Sequence, residues 1–101
     1  MRRLLIIGCG DVGLRLAKVL RGRWRIYALT HSQNRYSTLR AQGVIPVSGD
    51  LDRPETLQRI AGLAQDVVHL APPPAAGARD TRTNNLIRAL AKGGSLPQRL
   101  V

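Results

Sequence analysis

Gly8-Cys9-Gly10-Asp11-Val12-Gly13 places glycines at the first, third and sixth positions of a six-residue run. It follows the apolar stretch Arg3–Ile7 and opens Asp11–Leu20, whose apolar residues recur at helical spacing. In that setting each glycine does something different. Gly8 permits a tight strand-to-helix turn, Gly10 removes a Cβ where a phosphate would approach the backbone, and Gly13 lets the helix pack closely on the strand. The unpaired N–H groups of the first helical turn, among them those of Asp11 and Val12, then face an anion. The chemistry implied is capture of a pyrophosphate. Asp11 is expected to point away from it and complement the helix dipole. Cys9 is read as a small loop residue, since no base stands near it in the sequence to activate a thiol.

A second stretch bears on which pyrophosphate ligand is held. Dinucleotide sites that take NAD place an acid about 20 residues beyond the glycines, where it accepts hydrogen bonds from the ribose hydroxyls. Ala28–Arg35 occupies that place and contains no acid. Thr30, His31, Ser32 and Arg35 are instead donors, suited to a 2′-phosphate that a carboxylate would repel. NADP is therefore favoured as cofactor, with NAD remaining open.

The elements that must position these residues alternate along the chain. Arg3–Ile7, Arg25–Leu29, Val44–Val47 and Asp66–Ala71 read as strands; Asp11–Leu20, Tyr36–Gln42, Pro54–Ala64 and Asp80–Lys92 read as helices. Pro54 suits a first helical turn, with Asp52 as its expected cap, and Gly43 and Gly93-Gly94 sit where helices stop. Arg99–Val101 begins a fifth strand. The predicted class is α/β: a Rossmann-like parallel sheet with helices on both faces, reaching the start of its fifth strand, in one domain over residues 1–101. Ligands of such sheets bind beyond the carboxyl ends of the strands.

Composition narrows the partners. Lys and Arg outnumber Asp and Glu by 16 to 6, which raises nucleic acid and anionic membranes as candidates. Along the sequence the arginines are scattered, and no basic tract is interleaved with aromatics, so neither nucleic acid nor membrane is expected as a partner. The apolar run near the start, Leu4–Ile7, is broken at Gly8 and is too short for a span. Cys9 is the single cysteine, which excludes an internal disulfide and fits a reducing, cytoplasmic setting.

With the glycine loop, Gly49-Asp50-Leu51 after the third strand, Val67–Ala71 in the fourth and Thr83-Asn84-Asn85-Leu86-Ile87 in the helix that follows, the sequence resembles the extended or atypical short-chain dehydrogenase/reductases, nearest the NAD-dependent epimerase/dehydratase group. The resemblance implies that Asp50 and Leu51 lie by the adenine, Asp50 reaching its amino group, that Ala71 and Pro72 border the cofactor, and that His69 is an ordinary strand residue. That family's Tyr-x-x-x-Lys pair has no counterpart among these 101 residues. The chain is thus expected to be the cofactor-binding portion of a longer oxidoreductase or nucleotide-sugar-type epimerase/dehydratase, with a small-molecule substrate only in the longer form. Its fourth strand would then present an apolar edge prone to self-association. A second reading is a dinucleotide-sensing module, similar to the nucleotide-binding regulatory domains of potassium transport systems, which share the glycine spacing and a Gly-Asp segment after the third strand.

Overall fold

The computed structural model describes residues 2–8, 10–70, 81–92, 97 and 99–101. Cys9, Ala71, Pro72 and Gly93-Gly94, on which parts of the sequence reading rest, lie outside the described residues.

Strands β1 (Arg2–Ile7), β2 (Trp24–Thr30), β3 (Val44–Ser48), β4 (Asp66–His69) and β5 (Arg99–Leu100) form one sheet in the order β3-β2-β1-β4-β5. Every pairing is parallel. The chain runs outward from β1 to β3 and then returns to lay β4 on the other side of β1. Strand order therefore reverses between β1 and β4, and a crevice opens there at the carboxyl ends.

Alternation along each strand builds two cores. Leu5, Ile7, Leu29 and Val67 face one way and meet Leu57, Ile60 and helix α3 (Thr81–Ala91) through Leu86, Ala89 and Leu90. Leu4, Ile6, Ile26, Ala28 and Val44 face the other way, against Ala17 of helix α1 (Asp11–Leu20) and Leu39 of helix α2 (Tyr36–Ala41). Leu4 through Ile7 are all buried, which is why β1 reads as a continuous apolar run. Burying each of these side chains is worth about 1.5–3 kcal/mol. Gly43, at φ +76°, ends α2 in the left-handed conformation.

Two expectations are corrected. Pro54–Ala64 is not a helix; it forms two 3₁₀ turns, Pro54–Thr56 and Gln58–Ile60, before Gly62 turns the chain at φ +70°. The buried anchors Leu57 and Ile60 and the partly buried Leu63 recur every third residue, the period at which 3₁₀ side chains share a face. Thr56 reinforces the tighter turn, its hydroxyl donating to the Arg53 carbonyl at 2.7 Å. Nor is β4 an open edge. The His69 N–H donates to the Val101 carbonyl at 2.8 Å and the Val101 N–H to the Val67 carbonyl at 2.9 Å, so the short β5 covers β4 and takes the edge position. The opposite edge, β3, carries Pro46 in register with Ala28, a residue that blunts pairing from outside.

Candidate functional site

The site is assembled where β1, β2 and β3 end. Gly8, at φ +81°, turns the chain out of β1, and its carbonyl accepts from the Gly10 N–H at 2.9 Å. The first bond of α1 runs from the Leu14 N–H to the Gly10 carbonyl at 2.9 Å, and no side chain caps the helix. The N–H groups of Asp11, Val12 and Gly13 precede that bond and are the unsatisfied donors of the first turn. A Cβ placed on Gly10 would meet nothing within 4 Å, so the space above the loop is open to a ligand. Gly13 is buried on α1.

A cavity of about 410 Å³ lies over this loop, lined by Gly8, Gly10, Asp11, Val12, Thr30, His31, Arg35 and by Leu29, Leu39 and Leu70. Asp11, expected to face away, borders the cavity while remaining exposed. The Thr30 hydroxyl is folded back, accepting from the Ser32 N–H at 3.2 Å; Ser32 is not among the cavity's lining residues. His31 is exposed and Arg35 half-buried, so two of the four expected donors flank the mouth as cationic or titratable groups.

A second cavity, about 300 Å³, adjoins the first across Gly8, Leu29, Thr30 and His31 and continues past Ile7, Gly49, Asp50 and Leu51 to Asp52 and Arg82. Its floor is tightly built. The Gly49 N–H donates to the Thr30 carbonyl at 3.1 Å. The Asp50 N–H donates to the Thr56 hydroxyl at 2.8 Å, and Asp50 Oδ1 accepts from the Asp52 N–H at 2.9 Å. Asp50 Oδ2 has no partner among the described residues. From α3, Asn85 Nδ2 donates to the Leu51 carbonyl at 2.7 Å, locking the turn after β3 to the helix.

Asp52 is no helix cap. Its carboxylate accepts from Arg82 Nε and Nη2 at 2.9 and 3.1 Å. That bonding holds the Asp52 carboxyl below the usual carboxylate range, with desolvation opposing the shift and the charges of Arg82 and His31 adding to it. Sequence reasoning missed Asp52 and Arg82 as site residues, because a pair 30 positions apart has no local signature. Asn85 lay within a quoted motif without an assigned role. His69 points its Nε2 at the Thr83 hydroxyl, 2.9 Å away, between β4 and α3, in keeping with its reading as a strand residue. No group of three or more metal-ligating side chains occurs among the described residues. No described helix is long and apolar enough to cross a membrane.

An all-parallel sheet whose order reverses at a glycine-rich strand-to-helix turn, with helices on both faces, defines a Rossmann-type α/β domain. More particularly, the chain belongs to the TrkA-N domain family, whose model matches residues 4–93. No curated protein sequence matches it. Among solved structures it is similar to isoflavone reductase, with a TM-score of 0.71 at 20% identity over 94% of this chain and 34% of that one. It is similar as well to triphenylmethane reductase of Citrobacter sp. complexed with NADP(H), with a TM-score of 0.71 at 22% identity over 91% of this chain and 34% of that one. An NADPH-dependent quinone oxidoreductase from Escherichia coli complexed with NADPH gives a TM-score of 0.69 at 18% identity over 90% of this chain and 33% of that one. The chain spans about a third of the length of these structures. The likeness extends to reductases of the kind the sequence resembles, and it is a likeness of fold.

Proposed function

We propose that the chain binds a nicotinamide dinucleotide across the two adjoining cavities, with NADP(H) preferred. The observation that carries this is the continuity of the groove: it runs from the open N–H groups of the α1 first turn, past the acid-free end of β2, to the Asp50–Leu51 turn. On this reading the pyrophosphate lies over Gly8–Gly13. His31 and Arg35, the two donors that flank the mouth, receive the 2′-phosphate, and Asp50 and Leu51 border the adenine, with Asp50 Oδ2 available to its amino group. That two of the similar structures are complexes with NADP(H) or NADPH supports the choice of cofactor.

The test is a titration with NADPH and NADH, read by nicotinamide fluorescence. Trp24 is a poor reporter: it begins β2, at the end of the sheet away from the groove, with the Arg2 guanidinium 5.9 Å from its ring centroid. At least tenfold tighter binding of NADPH is expected; equal affinity would refute the 2′-phosphate assignment.

We further propose that these residues are the cofactor-binding portion of a longer, cytoplasmic oxidoreductase or epimerase, as the one-third coverage of the similar reductases suggests. The TrkA-N match favours a second reading, a dinucleotide-sensing module of the potassium-transport type. Hydride exchange separates them: in its complete protein a reductase portion consumes bound NADPH when an acceptor is supplied, and a sensing module leaves it intact.

A further inference from the structure

Arginines scattered along the chain gather in the fold. Because every pairing is parallel, all strand starts lie at one end of the sheet, opposite the groove. Arg3 and Arg25 are in register on β1 and β2, so their side chains leave the same face of strands about 4.8 Å apart. Arg21 and Arg23 stand on the turn that leads into β2, and Lys18 and Arg40 reach the same end from the last turns of α1 and α2. All six are exposed. Lys18 and Arg40 complement the helix dipoles there; nothing of that kind accounts for Arg3, Arg23 and Arg25. Among the described residues no carboxylate pairs with any of the six. The described acids stand elsewhere. Asp11, Asp50, Asp52 and Glu55 follow the carboxyl ends of β1 and β3, and Asp66, which does start a strand, is buried and bonded by Arg2. Like charges side by side on neighbouring strands cost stability, so Arg3 and Arg25 form a mutually repelling pair that a bound anion would relieve.

We propose that this basic end of the sheet docks the phosphate backbone of double-stranded nucleic acid, without regard to base sequence. Five of the six cations are arginine, whose planar fork matches phosphate oxygens. Stacking on single-stranded bases, or anchoring among lipid headgroups, calls for an exposed aromatic ring. Trp24, at the start of β2, is half-buried, with the Arg2 guanidinium 5.9 Å from its ring centroid. Duplex phosphates need no such ring. The docking face and the groove lie at opposite ends of the strands, and either can be occupied alone.

The experiment titrates the full chain by fluorescence anisotropy into a labelled DNA duplex of about 20 base pairs, between about 50 and 200 mM NaCl. Binding should be independent of sequence, with log K falling against log[NaCl] at a slope of about −4, as for four neutralised phosphates. Arg25→Gln should weaken binding about threefold and flatten the slope by about 1; adding Arg3→Gln should bring the losses to about tenfold and about 2. The thermal midpoint of the double variant should hold, or rise by up to about 5 °C as the repulsion is relieved. A midpoint that falls instead assigns the pair to the fold, and the face then stands or falls on Arg23→Gln, outside the strands, which should match Arg25→Gln. Arg53→Gln removes the same charge beside the groove and should leave affinity within about twofold. Equal weakening by Arg53→Gln would show net charge alone at work and overturn the face. Absence of duplex binding at the lowest salt overturns it outright. Tighter binding to a single strand of the same length, or to vesicles of phosphatidylserine and phosphatidylcholine, overturns the duplex assignment.

Discussion

Replacing Gly49 with alanine should destabilise the fold through three close contacts and disturb the groove by the same movement. The new Cβ would stand 2.6 Å from Leu29 Cδ1, 3.2 Å from the Thr56 carbonyl oxygen and 3.3 Å from Leu57 Cδ2. Leu57 is 1% exposed and enclosed in the core, and Leu29, 6% exposed, can yield only toward the groove it lines. The Thr56 carbonyl belongs to a turn tied to Asp50 by the bond from the Asp50 N–H to the Thr56 hydroxyl. Overpacking of a well-filled site costs about 1–3 kcal/mol. Loss of glycine's freedom in the unfolded chain returns about 0.4–1 kcal/mol, which leaves a net loss of about 1–2 kcal/mol. For a domain of this size that lowers the thermal midpoint by roughly 5–15 °C. Since Leu29 and Gly49 both line the second cavity, displacement of the Leu29 side chain should also weaken NADPH binding. The decisive assay is a double-mutant cycle by urea denaturation. In a Leu29→Ala background the closest contact is gone, and Gly49→Ala should then cost less than half as much. An undiminished cost in that background, or an unchanged midpoint in the single variant, would refute the packing argument.

Gly10→Ala makes the opposite prediction: with nothing within 4 Å of the added Cβ and φ at −85°, the thermal midpoint should hold within about 2 °C while NADPH binding falls at least tenfold, measured by fluorescence titration. Arg35→Ala should weaken NADPH by about tenfold and NADH by less than twofold, the loss expected of one charge-assisted bond to a 2′-phosphate. Because bonding to Arg82 holds the Asp52 carboxyl below its unfolded value, its stabilising contribution is complete above that unfolded value, near about pH 4, and is lost as pH falls through the folded one. Acid-titrated stability of Asp52→Asn should therefore lack that part of the decline. At the other end of the sheet, Asp66 is 6% exposed and bonded by Arg2 at 2.7 and 3.2 Å. Arg2→Ala removes those two bonds from a buried carboxylate and should lower the urea midpoint, with a shift in Trp24 emission as the overlying guanidinium is removed.

Much of the fold was legible because its signals are local. The run Leu4–Ile7 announces a strand buried on both faces, the spacing of Gly13, Leu14, Ala17 and Leu20 announces α1, and Gly8 and Gly10 mark the turn between them. Strand positions, to within a residue or two at each end, and the parallel architecture follow from such repeats with little help from tertiary context. The 3₁₀ segment was not legible, because Pro54, Glu55 and the leucines after them suit an α-helix as well as a tighter turn. Packing of Leu57 and Ile60 under the sheet selects between the two. Likewise Gly49 was visible as part of a motif, but its close approach to Leu29 arises only when β2 and β3 lie side by side.

The charges show the same division. Along the chain the arginines look dispersed, yet the parallel sheet sets Arg3 beside Arg25 in register on neighbouring strands and brings Arg21 to within 3.5 Å of a Cβ placed on Gly43. At the opposite end it brings Asp52 to Arg82. By itself the sequence determined the order and kind of most elements and the chemistry of the glycine loop, since both depend on neighbours within a few residues. Only the tertiary structure decided how the ends of three strands and the start of α3 close around one groove. The contacts that form it join residues tens of positions apart, whose meeting depends on strand order rather than on any pattern along the chain.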